Sequence, residues 1–306
     1  MRFGEVAEGL GFLPEYRVLR DIPFDILALC TTERREKTCT FVDNEEYIPS
    51  IAPNVVMIIT TPEIGSKIDL ERYGVAITAD PRVFYFQLHN LLAENENYAR
   101  TRTDNVISES AKISNLASIA TENVRIEDNV LVEPFVTIYP NVHIGKNTII
   151  RSGAKIGGVG FEFKHYGDES LSVRHLGGVE IGEHVEIQNN SCVDKAVYPW
   201  DDTIIGNHVK IDNLVHIAHG VKIGANTMIV ANTGIGGRTV IGSNSWIGFG
   251  AIVRNGLNIG DDARVNMGAV VTKDVGNGQS VSGNFAIEHQ KFLAYMKWKN
   301  STPPFD

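Results

Sequence analysis

From residue 205 to residue 271 an aliphatic side chain stands at every sixth position without a miss: Ile205, Ile211, Ile217, Ile223, Ile229, Ile235, Ile241, Ile247, Val253, Ile259, Val265 and Val271. That period fits neither an α-helix nor a coiled coil. It fits short strands separated by turns, each offering one side chain to a shared interior, with three repeats closing a triangular coil. The fourth residue after each aliphatic is small or aliphatic as well, as in Val209, Val215, Val221, Thr227, Thr233, Thr239, Ser245, Ala251 and Ala263. Both inward positions therefore suit a narrow prism. Gly or Asp often follows the aliphatic directly (Gly206, Asp212, Gly224, Gly236, Gly242, Gly248, Gly260), and these residues are expected to make corners with φ > 0.

The period starts earlier, at Ile107, Ile113 and Ile119, skips one residue, and resumes through Ile126, Val132, Ile138, Ile144, Ile150 and Ile156, then Ile181, Ile187 and Val193. It breaks across residues 157–180 and again across 195–202. These insertions are expected to leave the wall at corners and to carry recognition. Residues 1–104 lack the period. Strand-like runs at 38–42, 55–60 and 74–78 and a helical stretch at 84–95 indicate a small α/β domain there. Residues 105–282 form the repeat domain. In 283–306 a helical stretch places Phe285, Phe292, Tyr295 and Met296 near one face, as a helix capping the open end of the prism would. The expected fold is mainly β.

Composition narrows the function. No run of eighteen apolar residues exists, and MRFGEVAEGLGF lacks the basic and apolar regions of a leader, so a cytoplasmic chain with no membrane span is expected. Cys30, Cys39 and Cys192 have no metal-ligand spacing and read as ordinary thiols. A net charge of −9 without a Lys/Arg run argues against nucleic acid as a partner.

Chemistry is best placed in DNLVHIAHGVKIG, residues 212–224. His219 falls two places after Ile217 and projects near a corner, where an imidazole suits general-base work; His216 also points outward and is a candidate to meet the substrate. Eighteen residues on, one coil away, stands Gly237, whose bare amide could hold an oxyanion. A base and an amide so paired are what acyl transfer needs. Asp212 and Asn213, at the preceding corner, are candidates to orient the imidazole or meet the substrate. Arg238, Arg254, Arg264 and Lys273 are candidates for a donor's phosphates. A zinc carbonic anhydrase would need three converging histidines, and i, i+3 residues of a strand face opposite ways. A scaffold gives His219 no purpose, and a nucleotidyltransferase needs a larger nucleotide domain than residues 1–104.

LGGVEIGEHVEIQNNSCVD, DDTIIGNHVKIDNLVHIAHGVKIG and the loop GGVGFEF resemble the UDP-3-O-acylglucosamine N-acyltransferases of lipid A synthesis. The resemblance implies a left-handed parallel β-helix, a homotrimer with sites between subunits, His219 as base, Asp212 as its partner and Gly237 as the oxyanion amide. Phe41, Asn44 and Tyr47, in TFVDNEEY, are similar to the family's uracil site. Two departures stand out. AIVRNGLNIG (251–260) lacks the family's second histidine, and VNMGAVVTKDVGNGQSVSGNFA (265–286) is similar to the ending of coenzyme A-dependent hexapeptide acetyltransferases. The expectation is an N-acyltransferase that moves an acyl group from acyl-CoA or acyl carrier protein to the amine of a UDP- or dTDP-linked amino sugar for surface polysaccharide. A short acyl-CoA donor is favoured, with lipid A synthesis from long-chain acyl carrier protein as the alternative. No metal or bound cofactor is called for, because a thioester is already activated.

Overall fold

The computed structural model describes residues 1–8, 15–283 and 286–301. Strands of two to four residues stack in parallel into three sheets of nine, eight and eight strands, which form the faces of a triangular β-helix. Strands pair in the register of the repeat: Ile211 lies against Ile229, which lies against Ile247, and Ile217 lies against Ile235. The aliphatic column is buried throughout this stretch and merges into a single apolar core. Inward hydroxyls are satisfied by the neighbouring coil: Thr227, Thr233, Thr239 and Ser245 donate to the carbonyls of Gly242, Gly248, Arg254 and Gly260 at 2.7–3.1 Å. A polar atom inside the prism is thereby paired rather than stranded.

The corners differ from expectation. Positive φ falls three places after the aliphatic, at His208, Leu214, Gly220, Asn226, Asn232, Arg238, Asn244, Gly250, Gly256, Asp262 and Gly268. The glycines directly after the aliphatic answer a different demand, which is clearance. A Cβ on Gly224 would lie 2.5 Å from the Ser243 nitrogen, and one on Gly242 2.5 Å from that of Asp261. Successive coils approach too closely there for any side chain.

The N-terminal region is a five-stranded sheet in the order Tyr16–Arg20, Gly74–Thr78, Val55–Thr60, Thr38–Val42, Ile26–Leu27, antiparallel only at the first pair. A helix, Pro81–Leu92, packs on it through Phe84, Tyr85 and Leu88; Asp80 caps it by accepting from the Val83 amide at 3.0 Å. The two insertions do not stand free. Val173, Val197 and Tyr198 join the core of this domain, the Tyr85 hydroxyl donates to that of Tyr198 at 3.1 Å, and the Trp200 indole donates to the Leu27 carbonyl at 2.9 Å. The insertions are thus the dock on which the α/β unit sits. The C-terminal helix, His289–Ser301, buries no side chain, so it does not cap the prism as expected; Phe292 and Tyr295 are exposed, Met296 is half-buried, and Phe285 lies outside the described residues.

Candidate functional site

The strand His216–Ile217 ends at a prism edge formed by Ala218, His219 and Gly220, and the chain turns through Gly220 at φ +70°. Gly220 donates its amide to the Thr203 hydroxyl at 2.8 Å, which fixes the turn. His219 leaves the wall here, yet it is only 7% exposed, because the first insertion folds over it. Gly237 lies one coil on, against the imidazole: a Cβ added to it would meet Cε1 at 2.7 Å and Nε2 at 2.8 Å. Among the described residues, the Gly237 N–H has no hydrogen-bond acceptor, while its carbonyl accepts from the Gly256 amide at 2.9 Å. The next residue, Arg238, holds φ +59°, a strained setting for a long side chain, and its guanidinium reaches toward the insertion at Glu162.

The partner of His219 comes from the insertion. Its Nε2 lies 3.2 Å from Glu162 Oε2. The Glu162 carboxylate also pairs with Lys164 and lies 3.7 Å from an Arg238 nitrogen. Burial pushes this carboxyl up, but the hydrogen bonds from His219 and Lys164 and the charge of Arg238 outweigh burial and hold it at about 2. A second imidazole, His175, meets His219 edge to face with ring centroids 5.4 Å apart. Burial, and then the neighbouring His219, push His175 down to about 4, while its Nδ1–H donates to the Val173 carbonyl at 3.1 Å. Among the described residues, His175 Nε2, His219 Nδ1 and one Arg238 nitrogen are buried without a hydrogen-bond partner. Three orphaned polar atoms around one carboxylate mark a place built for a ligand.

Asp212 does not orient His219. Its carboxylate accepts from the Asn213 backbone and side chain at 2.7 and 2.8 Å and from the Ala231 amide at 3.2 Å. Asn213 in turn accepts from the backbone and side chain of Asn189 at 3.1 and 2.9 Å. Both residues staple coils together at a different prism edge, separated from His219 by the strand His216–Ile217. His216 is exposed, and its Nε2 bonds Asp194 at 2.9 Å, which raises its pKa. The donor-side cations divide. Lys273 and Asn255 stack on the edge of His219 and Gly237, flanked by Arg238 and Arg254, because Ile217, Ile235, Val253 and Val271 are paired in register. Arg264 stands on another face, over the Trp246 ring at 5.3 Å. In the N-terminal domain the Phe41 ring packs 5.0 Å from Tyr85 and 6.0 Å from Phe86, and Tyr47 is 47% exposed. Asn44 caps the short helix Glu45–Ser50, its side-chain oxygen accepting from Glu46 at 3.0 Å. Lys164 lies 4.7 Å over the Phe86 ring and so connects this domain to the Glu162 cluster.

Glu162, Lys164 and His175 escaped the sequence reading because their contacts cross an insertion whose path no period describes. One signal was present: a glutamate among the aromatic residues of GGVGFEF, where a charge needs a reason.

Residues 123–158 and 202–237 match the family model "Bacterial transferase hexapeptide (six repeats)", the repeat of a left-handed parallel β-helix. A UDP-3-O-acylglucosamine N-acyltransferase of Bordetella pertussis is 38% identical over 169 residues, covering 53% of this chain and 46% of its own length. The enzyme of the same name from Ectopseudomonas mendocina is 47% identical over 94 residues, 31% of this chain and 26% of its own. The chain thus matches less than half of the length of these relatives. A solved UDP-N-acetylglucosamine O-acyltransferase of Moraxella catarrhalis aligns at 25% identity over 62% of this chain and 76% of its own, with a TM-score of 0.39.

Proposed function

We propose that this protein is an N-acyltransferase that moves an acyl group from a thioester to the amine of a UDP-linked amino sugar. The observation that carries the proposal is the stacking of a free backbone amide, Gly237, against a buried imidazole, His219, on one prism edge. The neutral amine attacks the thioester carbonyl carbon, and the C–N bond forms. His219 takes the amine's proton, and the Gly237 N–H stabilises the oxyanion. As the tetrahedral intermediate collapses, the C–S bond breaks and the proton passes to the departing thiolate. Arg238, Arg254 and Lys273, on the same edge, are suited to the phosphates of an acyl-CoA or of acyl-phosphopantetheine; Arg264 is not placed to join them. Phe41 and Tyr47 would flank the uracil. The Asn44 amide, engaged in its cap, would read the base only through its free hydrogen-bonding positions.

The relatives' shared name specifies a UDP-linked 3-O-acylglucosamine acceptor, which supports the lipid A alternative over a surface-polysaccharide sugar. The short acyl-CoA donor read from the chain's ending gains no support from the comparisons. A homotrimer that completes the acceptor site between subunits, in the cytoplasm, belongs to the same proposal. Among the described residues no helix is long and apolar enough to cross a membrane. The test is mass spectrometry of products from UDP- and dTDP-amino sugars, UDP-3-O-acylglucosamine included, each with acyl-CoA and acyl carrier protein donors. His219→Ala is expected to lower turnover about 10²–10⁴-fold with the fold intact. Near wild-type turnover in that variant, or no product from any pairing, would overturn the proposal.

A further inference from the structure

We infer that Glu162 is the positioning residue of the reaction, holding His219 so that Nδ1 is the atom that accepts the proton. The inference rests on the role proposed above for His219, and it reaches a residue outside the repeat.

An imidazole works as a base from one nitrogen only when the other carries the hydrogen and is held by an acceptor. Here the Nε2 side faces the Glu162 carboxylate, and Nδ1 is buried with no hydrogen-bond partner among the described residues. Glu162 can do this because it is itself fixed: Lys164 pairs with one oxygen, and Arg238 lies near the oxygen that meets His219. Lys164 is in turn held over the Phe86 ring of the N-terminal domain. Charged in a site that is largely closed to water, the carboxylate stabilises the imidazolium formed when the proton arrives. Asp212, the residue a reading of the repeat alone favours, spends its oxygens on Asn213 and Ala231. The carboxylate that serves the base is therefore supplied by the first insertion, and the docked α/β domain sets its position.

An alternative has Glu162 as a plug, occupying the place of the incoming substrate. The two roles make opposite forecasts for Glu162→Gln in the full-length protein. A positioning role requires kcat to fall about 10²-fold or more with the sugar's KM little changed; a plug requires KM to fall or kcat to rise. In a His219→Ala background, Glu162→Gln should add no further loss, because a residue acting through the imidazole has nothing left to act on. Nitrogen-15 spectra of histidine-labelled protein should show the His219 proton on Nε2 in the wild type and a mixture of tautomers in Glu162→Gln. The inference is overturned by wild-type kcat in Glu162→Gln, by additive losses in the double variant, or by a loss confined to Asp212→Asn. An active His219→Ala would instead overturn the proposed function.

Discussion

The close approach of Gly237 to the His219 ring lends itself to one substitution whose outcome can be worked out. Gly237→Ala keeps the backbone amide and adds a single methyl. Its φ lies outside the left-handed region, so the backbone accepts alanine without strain, and any effect comes from the methyl. That methyl would sit 2.7 Å from Cε1 and 2.8 Å from Nε2, where carbon atoms normally rest about 3.5 Å apart or more. The ring must therefore retreat by about 0.8 Å, and it is gripped by Glu162 at 3.2 Å and flanked by His175. A displacement near 1 Å at a reacting group costs about 10²-fold in rate. Overpacking of this kind costs about 1–3 kcal/mol of stability, which lowers Tm by several degrees. Steady-state kinetics and a thermal melt read the two effects together. Gly250→Ala is the control: there φ is +66° and, among the described residues, nothing lies within 4 Å, so strain of about 1–2 kcal/mol should appear with kcat unchanged. Wild-type kcat in Gly237→Ala would refute the placement of the imidazole under this residue.

Other perturbations test other parts of the structure. Tyr47→Ala should weaken UDP binding by about 1–3 kcal/mol with little change in Tm, since the ring is 47% exposed; unchanged affinity by calorimetry would move the base site elsewhere. Acid should destabilise the protein in two stages. His175, neutral in the fold and held at about 4, contributes stability that is lost as pH falls from its ordinary 6.5 toward 4. Glu162, held at about 2, contributes on the order of 3 kcal/mol that is present above 4.5 and lost as pH falls toward 2. Urea titrations of Glu162→Gln should therefore show lower stability at pH 7 and a flatter decline below pH 4.5, and a wild-type slope there would contradict the carboxylate's setting. Trp200→Ala removes the stack on Tyr198, the bond to Leu27 and the contact with Arg34, and should loosen the α/β domain at a cost of about 3 kcal/mol, seen as faster proteolysis within residues 1–104.

What the sequence disclosed follows from what a repeat transmits. An aliphatic at every sixth position states which side chains share the interior, so the prism, its register and the stacking of Gly237 on His219 could be read before any coordinates. The same period is silent about everything that leaves it. Glu162 and His219 are far apart in sequence and meet only because a hairpin, Phe163–Tyr166 with Glu169–Ser172, rises from the wall and is held against the N-terminal domain. Asp212 looked like a partner because it is close in sequence, but a strand carries the chain from one prism edge to the next between it and His219. The glycines after the aliphatics signalled a special backbone; the demand was for clearance between coils, and composition alone does not separate that from positive φ. In Phe41, Asn44 and Tyr47 the spacing was legible, while the cap formed by Asn44 depended on a short helix that begins one residue later.

In a stack where each coil touches only its neighbours, stability is a local quantity, and such arrays open from their ends. This one carries a brace at mid-length. Val173, Val197 and Tyr198 are shared with a core that includes Phe3, Phe84 and Tyr85, and Arg100 ties the approach to the first coil to the carbonyls of Pro199 and Asp201. Opening that starts at Val281 or at Ile107 must stop where the chain crosses itself, unless the whole α/β unit detaches. Amide exchange should therefore be slowest in the coils around Ile181–Ile217 and quicken toward both ends. The prism would behave as two zippers that meet at a pin, and the residues proposed for chemistry lie beside the pin.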